Sequence, residues 1–539
     1  MTSYQFQRAD LEKWKEELLK NPYLEDEDFR DSVSRYLGGT GAEEKLTQFA
    51  QTVVTELEPL VQENHRPENL PRVERYDAIG RPVERVVHHP AYSAAGDLIY
   101  GSGLMKTMSC RGKLLEALSF MLLSSQVGEA GHNCPIACSA GIIRVFQKVD
   151  DFPRKQYFLD KLVEPSFQNN FTGAQFVTEV QGGSDVGANE TRAYRDSQGV
   201  WRIEGEKWFC SNANADLILM TARFDPDLEG TKGLGLFLVP ATLETGEPNN
   251  YSIRRLKEKM GTKTLATAEM DFQATLAIPM GPPHEGFKLL MENVLHISRL
   301  FNAFCVVGMA RRALAIADAY ARHRRAFGRP IIQFPLVEEK ILRIKSENTA
   351  LMASIFGMAS LQDRFDTGEI YGTTSQLLLR LLANINKTLT ALWSVRHIHH
   401  ALNILAGKGT IETFSPIPRL FRDCIICENW EGTHNVLSQQ ILRDIHRYQV
   451  DEIFLEHAQT LNQGSELIDL RLEEFKDNLK GLKASTPEVQ SARIQPLVHQ
   501  MGTLYAALQL ANEADGKTES KQNCLASFLH DHFSDSWKI

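Results

Sequence analysis

Between Phe6 and Phe167 apolar residues recur at helical spacing, as in the run LLEALSFMLLSSQ (114–126), and strand signals are few. The stretch RYDAIGRPVERVVHHPAY (75–92) interrupts this pattern with Gly80, Pro82 and Pro90, which predicts a looped connection. From Gln175 to about Pro279 the texture changes to short β-branched and aromatic runs: TRAYRDSQGVWRIEGEKWFC, ADLILMTARF, GLGLFLVPA and TAEMDFQ. Asp196-Ser197-Gln198-Gly199 between two alternating runs reads as a hairpin turn. After Pro283 long amphipathic periods return, over Phe287 to Ala326, Leu336 to Asp366 and Thr374 to Ala406, as in a helical bundle. The expected fold is therefore mainly α with a central antiparallel β domain. Its expected parts are an N-terminal helical domain (1–172), a middle β domain (173–282), a four-helix bundle (283–449) and a helical extension (450–539).

A chain of 539 residues with 43% hydrophobic and 24% charged side chains has globular composition and room for several cores. A net charge of -9 argues against a surface built for nucleic acid, and in the extension acidic side chains outnumber basic ones. The eight cysteines, Cys110 to Cys524, are spread through a chain large enough to need no staples, so they read as reduced thiols. The opening MTSYQFQRADLEKWKEELL lacks the pattern of a secretory leader, the closing SWKI is no standard address, and no apolar run of bilayer length stands out. The expected location is the cytoplasm, or a mitochondrial matrix for a protein whose leader has been removed.

Four segments carry candidate chemistry: FVTEVQGGSDVGANET (176–191), GEKWFCSN (205–212), RHRRAFGRPI (322–331) and NILAGKGT…RLFRDCIICENWEGTHN (403–435). Thr178, Gly182, Gly183 and Ser184 leave room for backbone amides and hydroxyls to approach a flat or anionic ligand. Strand alternation would put Trp208 and Cys210 on one face and Phe209 and Ser211 on the other. Arg324 at the end of a helix suits a phosphate, and Glu431, flanked by Trp430 and Gly432, suits a partly desolvated base. Taken singly, each segment also has an ordinary structural explanation.

As an ordered set, with a β unit between helical units, these segments resemble the acyl-CoA dehydrogenase superfamily over at least residues 100–445. The long N-terminal region, RYDAIGRP, HHPAY, EVQGGSDV and the C-terminal extension resemble its AidB-type branch, which includes long-chain acyl-CoA dehydrogenases. The resemblance implies FAD, an acyl-CoA substrate of medium to long chain and a role in fatty acid β-oxidation. It also implies a homo-oligomer, dimer or tetramer, and an electron-transfer flavoprotein as acceptor, with no metal. It implies cofactor contacts from Gln175, Phe176, Val177, Thr178, Gly183, Ser184, Phe209, Cys210, Ser211, Arg324, Asn403, Gly407, Thr433 and Asn435. Ser184, Arg299 and Gly432 match substrate-contacting positions, and Glu431 matches the catalytic base. Some relatives carry the base directly before the arginine matching Arg299, where this chain has Ser298. An AidB-like damage-response or nucleic-acid-binding flavoprotein with weak dehydrogenase activity, and an oxygen-using acyl-CoA oxidase, stay open as alternatives.

His296 replaces a usual aspartate, Pro335 a flavin-contacting glutamine, and Ala406 the first of two glycines, the last expected to be a mild change. Cys424-Ile-Ile-Cys427 is only half of a metal or redox motif. His397, His399 and His400 have no carboxylate at ligand spacing in the sequence. Gly516-Lys517-Thr518 lacks the first glycine of a phosphate loop, and Gly233-Leu234-Gly235 lacks the third glycine of a dinucleotide fingerprint.

Overall fold

The computed structural model describes residues 3–515 and 519–534, so Gly516-Lys517-Thr518 and the closing SWKI lie outside the described residues. Its contacts divide the chain into two compact units that interleave in sequence: 1–58, 111–128 and 299–539 form one, and 59–110 with 129–298 the other. This division differs from the four consecutive stretches suggested by the sequence pattern.

The second unit is built on an eight-stranded sheet. A hairpin precedes that sheet in the chain, β1 (Arg72–Tyr76) and β2 (Pro82–Val87), where the sequence predicted only a loop. Gly80 lies in its turn with φ +81°, where Asp77 Oδ1 accepts from the N–H groups of Ile79 and Arg81, while Pro82 opens β2 and Pro90 starts the following helix, Pro90–Gly101. Val73 and Val86 pack on the core of the sheet, which gives the hairpin its reason to fold.

The sheet strands are β3 (Gly173–Phe176), β4 (Arg192–Arg195), β5 (Trp201–Ser211), β6 (Leu217–Arg223), β7 (Leu234–Pro240), β8 (Tyr251–Leu256), β9 (Thr267–Leu276) and β10 (Ile278–Pro279). Their order is β10-β7-β6-β4-β5-β9-β8, with β3 alongside β6. Pairing is antiparallel as expected, except that β3 and β4 run parallel to β6. The Asp196–Gly199 hairpin is present: Asp196 N–H donates to Val200 O at 2.9 Å, and Gly199 has φ +78°. Phe176, Ile203, Met220, Phe237, Met270 and Phe272 fill the core of this sheet.

The other unit is helical. Its long helices Pro335–Thr367 and Gly372–Leu405 start and stop close to the predicted periods, while the period predicted from Phe287 is made of a short helix Gly286–Leu290, a π-turn Met291–Leu295 and the long helix His296–His323. Pro335 supplies a helix N-terminus, where its missing N–H costs nothing. Trp14, Ala313, Ile316, Ile398, Leu420 and Cys424 are among the residues of its core. Helices Pro487–Ala514 and Glu519–Phe533 of the extension belong to the same unit; Lys521 Nζ donates to Glu513 Oε2 at 2.6 Å with both side chains buried. Among the described residues one helical stretch, Pro283–His323, passes for a membrane span by length and composition, which the sequence pattern had not suggested. With 89% of its apolar window buried in protein, it is a core helix.

Candidate active site

In the β-containing unit, a buried ion pair joins the first two motifs. Lys207 Nζ lies 2.7 Å from Glu179 Oε1, and the other carboxylate oxygen accepts from Glu190 N–H at 2.6 Å. Trp208 N–H also donates to Thr178 O at 2.9 Å, so the two segments run side by side. The glycines after β3 act through close approach: a Cβ on Gly183 would fall 2.6 Å from Thr178 Oγ1, and Gly182 has φ +111°. Ser184 is exposed at this loop, and Gln175, Val177 and Thr178 are half-buried.

The expected alternation along GEKWFCSN fails. Lys207 pairs with Met270 and Cys210 with Ala268, so β5 carries one extra residue between these points, a β-bulge. Lys207 and Cys210 therefore both face the core, while Trp208 and Phe209 both lie within reach of Lys257 Nζ, at 3.6 and 4.9 Å from their ring centroids. Phe209 stays 53% exposed. Ser211 Oγ lies 3.1 Å from Thr267 Oγ1, which also accepts from Lys259 Nζ at 2.8 Å. For Phe176 and Cys210 the side chains are fully buried in the core, so only their backbones remain to touch a ligand.

In the helical unit, the Ile417–Asn429 helix ends in a reversal built from Glu431 (φ +59°) and Gly432 (φ +104°) before the His434–Tyr448 helix. Thr433 caps that second helix, its side chain accepting from Val436 N–H at 3.4 Å, and Asn435 is exposed in the first turn. A helix end leaves carbonyls without intrahelical donors, and here side chains from two long helices supply them. Asn302 Nδ2 donates to Cys427 O at 3.0 Å. Lys387 Nζ donates to Glu428 O at 2.8 Å and to Gly432 O at 2.7 Å. Arg299 Nε donates to Glu431 O at 3.1 Å, and its Nη1 to Asn384 Oδ1 at 2.7 Å.

Arg299, matched by resemblance to a substrate contact, is thus buried and engaged with the backbone of the turn. Burial draws its guanidinium down to about 10, with the Glu431 charge opposing that shift. Burial likewise draws Lys387 down to about 8, with Cys427, Glu431 and Glu428 holding it up and Arg299 pushing it lower. Lys387 escaped the motif reading. Its signal was present: a lone lysine in the middle of the apolar LLANINKTLTALW run.

The remaining expected contacts sit at chain reversals. Arg324 follows the His296–His323 helix and leads into a hairpin whose tip, Phe327, is 96% exposed. Asn403 and Gly407 are exposed around the end of the Gly372–Leu405 helix. Ala406 there has φ +53° and ψ −138°, a conformation suited to glycine, so its replacement of glycine is a strained change rather than a mild one. His397 does find a carboxylate, from another helix: its Nε2 lies 2.7 Å from the buried Glu347. Cys424 and Cys427 are buried and form no disulfide, and Cys427 Sγ donates to Asp423 O at 3.4 Å. Ser298, at the other base position, is buried with its Oγ 3.5 Å from Gln175 Oε1.

Comparison with known proteins separates this arrangement from an accidental one. Three family models match: the AidB adaptive response protein N-terminal domain over 16–168, and the middle and C-terminal domains of acyl-CoA dehydrogenase over 174–275 and 284–446. The chain belongs to the acyl-CoA dehydrogenase superfamily. It is 28% identical to acyl-CoA dehydrogenase family member 11 of Caenorhabditis elegans, over 79% of this chain and 70% of that one. With the putative acyl-CoA dehydrogenase AidB of Escherichia coli (strain K12) it shares 29% identity, over 70% of each. Among solved structures, the apo form of Bd2924 superposes with a TM-score of 0.85 at 28% identity, covering 92% of this chain and 98% of the other. The Caenorhabditis elegans ACDH-11 structure in complex with C11-CoA gives 0.89 at 23% identity, covering 96% and 92%, a likeness of fold.

Members of this superfamily are FAD-dependent. In the β-containing unit the residues present fit such a group: Phe209 offers an exposed flat apolar face two positions from a hydroxyl, and a Cβ at Gly182 would meet nothing within 4 Å.

Proposed function

We propose that the chain is an FAD-dependent acyl-CoA dehydrogenase that forms a Cα–Cβ double bond in medium- to long-chain acyl thioesters, with Glu431 as base. The observation that carries this reading is the left-handed turn at Glu431, held through its own carbonyl by Arg299 and through its neighbours' carbonyls by Lys387. A carboxylate that must meet one C–H bond in one direction needs such a fixed backbone. The C11-CoA carried by ACDH-11 supports the chain-length class.

A thioester α-proton is too weakly acidic for a carboxylate in water, so charge developing on the thioester oxygen requires donors in a dry site. The backbone N–H of Glu431 is the donor this chain supplies, while Ser184 and Gly432 bound the thioester. FAD, when bound, supplies the hydride acceptor. For that group Phe209 provides the flat face, Ser211 and Thr178 hydroxyls, Gln175 to Gly183 a backbone edge, and Arg324 a cation for phosphate. Asn403, Gly407, Thr433 and Asn435 complete the contacts. Glu431 takes the proton, and no second carboxylate competes for it at Ser298. The same reading includes a homo-oligomer, an electron-transfer flavoprotein as acceptor and a reducing compartment such as the cytoplasm. The eight cysteines, none of them in a disulfide, support that compartment.

Anaerobic addition of an acyl-CoA panel to the purified holoenzyme tests the proposal: one chain-length class bleaches the flavin. Glu431→Gln keeps the flavin and loses bleaching; retained turnover overturns the base assignment. Admitting oxygen after reduction separates dehydrogenase from oxidase by the rate of reoxidation. The AidB N-terminal match favours a second reading, a damage-response flavoprotein. It wins if no acyl-CoA bleaches the flavin while duplex DNA binds with steep salt dependence.

A further inference from the structure

We propose that Lys387 is a positioning residue for Glu431, its ammonium fixing the carbonyls on both sides of the base so that the carboxylate points one way. The inference rests on the reading of Glu431 as base. Lys387 is fully buried in the Gly372–Leu405 helix, at a position where an apolar side chain would pack without desolvating a charge. An ammonium donates in three directions and accepts in none. Two of these go to Glu428 O, in the last turn of one helix, and Gly432 O, one residue after the base.

Arg299 holds the carbonyl between them, that of Glu431 itself. Turning ψ at Glu431 would swing Gly432 O away from Lys387, and turning φ would swing Glu431 O away from Arg299. The two cations therefore over-determine a backbone that glutamate adopts at a cost, and with it the direction of the Glu431 Cα–Cβ bond. The titratable and charged groups facing Lys387 are Cys427 and Glu428 from the Ile417–Asn429 helix, Arg299 from the His296–His323 helix, and Glu431 from the turn. Beside these charges, the ammonium's hydrogen bonds to Glu428 O and Gly432 O run to backbone oxygens. A lysine that served only to neutralise charge would not require two carbonyls bracketing the base.

The test uses full-length holoenzyme and decanoyl-CoA, with Lys387→Met, Lys387→Gln and Glu431→Gln measured together. Lys387→Met is expected to keep FAD and its dissociation constant for decanoyl-CoA, and to lose about 100-fold in the bleaching rate, the scale set by an ångström of misplacement. Lys387→Gln, which restores two neutral N–H donors, is expected to recover part of that rate. The inference is overturned if Lys387→Met bleaches at the wild-type rate, or if Met and Gln variants lose rate only in proportion to lost FAD or lost thermal stability. Should the Met variant fail to fold, the Gln variant decides by the same rate and affinity: full rate overturns, reduced rate at unchanged affinity supports. Bleaching by Glu431→Gln would instead sink the base assignment beneath it.

Discussion

Lys207 and Glu179 form a fully buried ion pair 2.7 Å apart, and this pair fastens the strand carrying Phe209 and Ser211 to the loop carrying Thr178 and Ser184. Removing one partner of such a pair leaves the other charged in a low dielectric, which costs about 3–5 kcal/mol. Glu179→Gln is therefore expected to lower stability by that order in chemical denaturation. In Glu179→Gln/Lys207→Met part of the loss should return, because no unpaired charge remains. Strictly additive single changes would show that the pair is not what joins the two segments.

The same pair sets an acid limb. Burial alone would raise the Glu179 carboxyl; the Lys207 ammonium and the hydrogen bonds from Glu190 and Thr191 outweigh it and hold the group below its usual value. Because the folded value lies below the unfolded one, near 4.3, its stabilisation is present above that pH and is lost as pH falls through the folded value. Unfolding free energy measured from pH 6 to acid is thus expected to decline less steeply in Glu179→Gln. Parallel declines would remove Glu179 from the acid response.

Ala406 offers a gain instead. At φ +53° and ψ −138° its Cβ is strained, and the turn that follows is held by Thr410 Oγ1 donating to Gly407 O at 2.8 Å. Ala406→Gly relieves strain of roughly 1–3 kcal/mol against a glycine entropy cost of up to ~1 kcal/mol. The expected result is a net stabilisation of about 1 kcal/mol, read as a raised thermal midpoint. A lowered midpoint would mean that the backbone relaxes out of this conformation in solution.

What the sequence made legible was what repeats or clusters locally. The three long helices followed from apolar period, the sheet from β-branched runs, and the hairpin at Asp196 from its turn residues. Three things were hidden because they depend on contacts between distant segments. Gly80 and Pro82 read as breakers, yet Val73 and Val86 find a sheet to pack on and a hairpin forms. The bulge in β5 arises from its pairing with β9, and it overrode strict alternation at Trp208 and Cys210. Lys387 and Glu431 are far apart in the chain, so a lysine in an apolar helix carried no visible purpose until the turn was placed against it.

Arg299 separates two accounts of the site. As a substrate contact it would hold the CoA portion of the ligand, and its loss would weaken binding. Its guanidinium instead spends Nε on Glu431 O and Nη1 on Asn384, with the side chain almost wholly out of solvent. Arg299→Met should then leave the affinity for free CoA unchanged while slowing flavin bleaching by decanoyl-CoA about 10- to 100-fold, since the misplaced group is the base and not the ligand. Arg299→Lys should recover little, because one compact ammonium does not span the Glu431 carbonyl and the Asn384 amide as a planar guanidinium fork does. A drop in CoA affinity at unchanged bleaching rate would return Arg299 to the substrate and leave Lys387 alone in holding the turn.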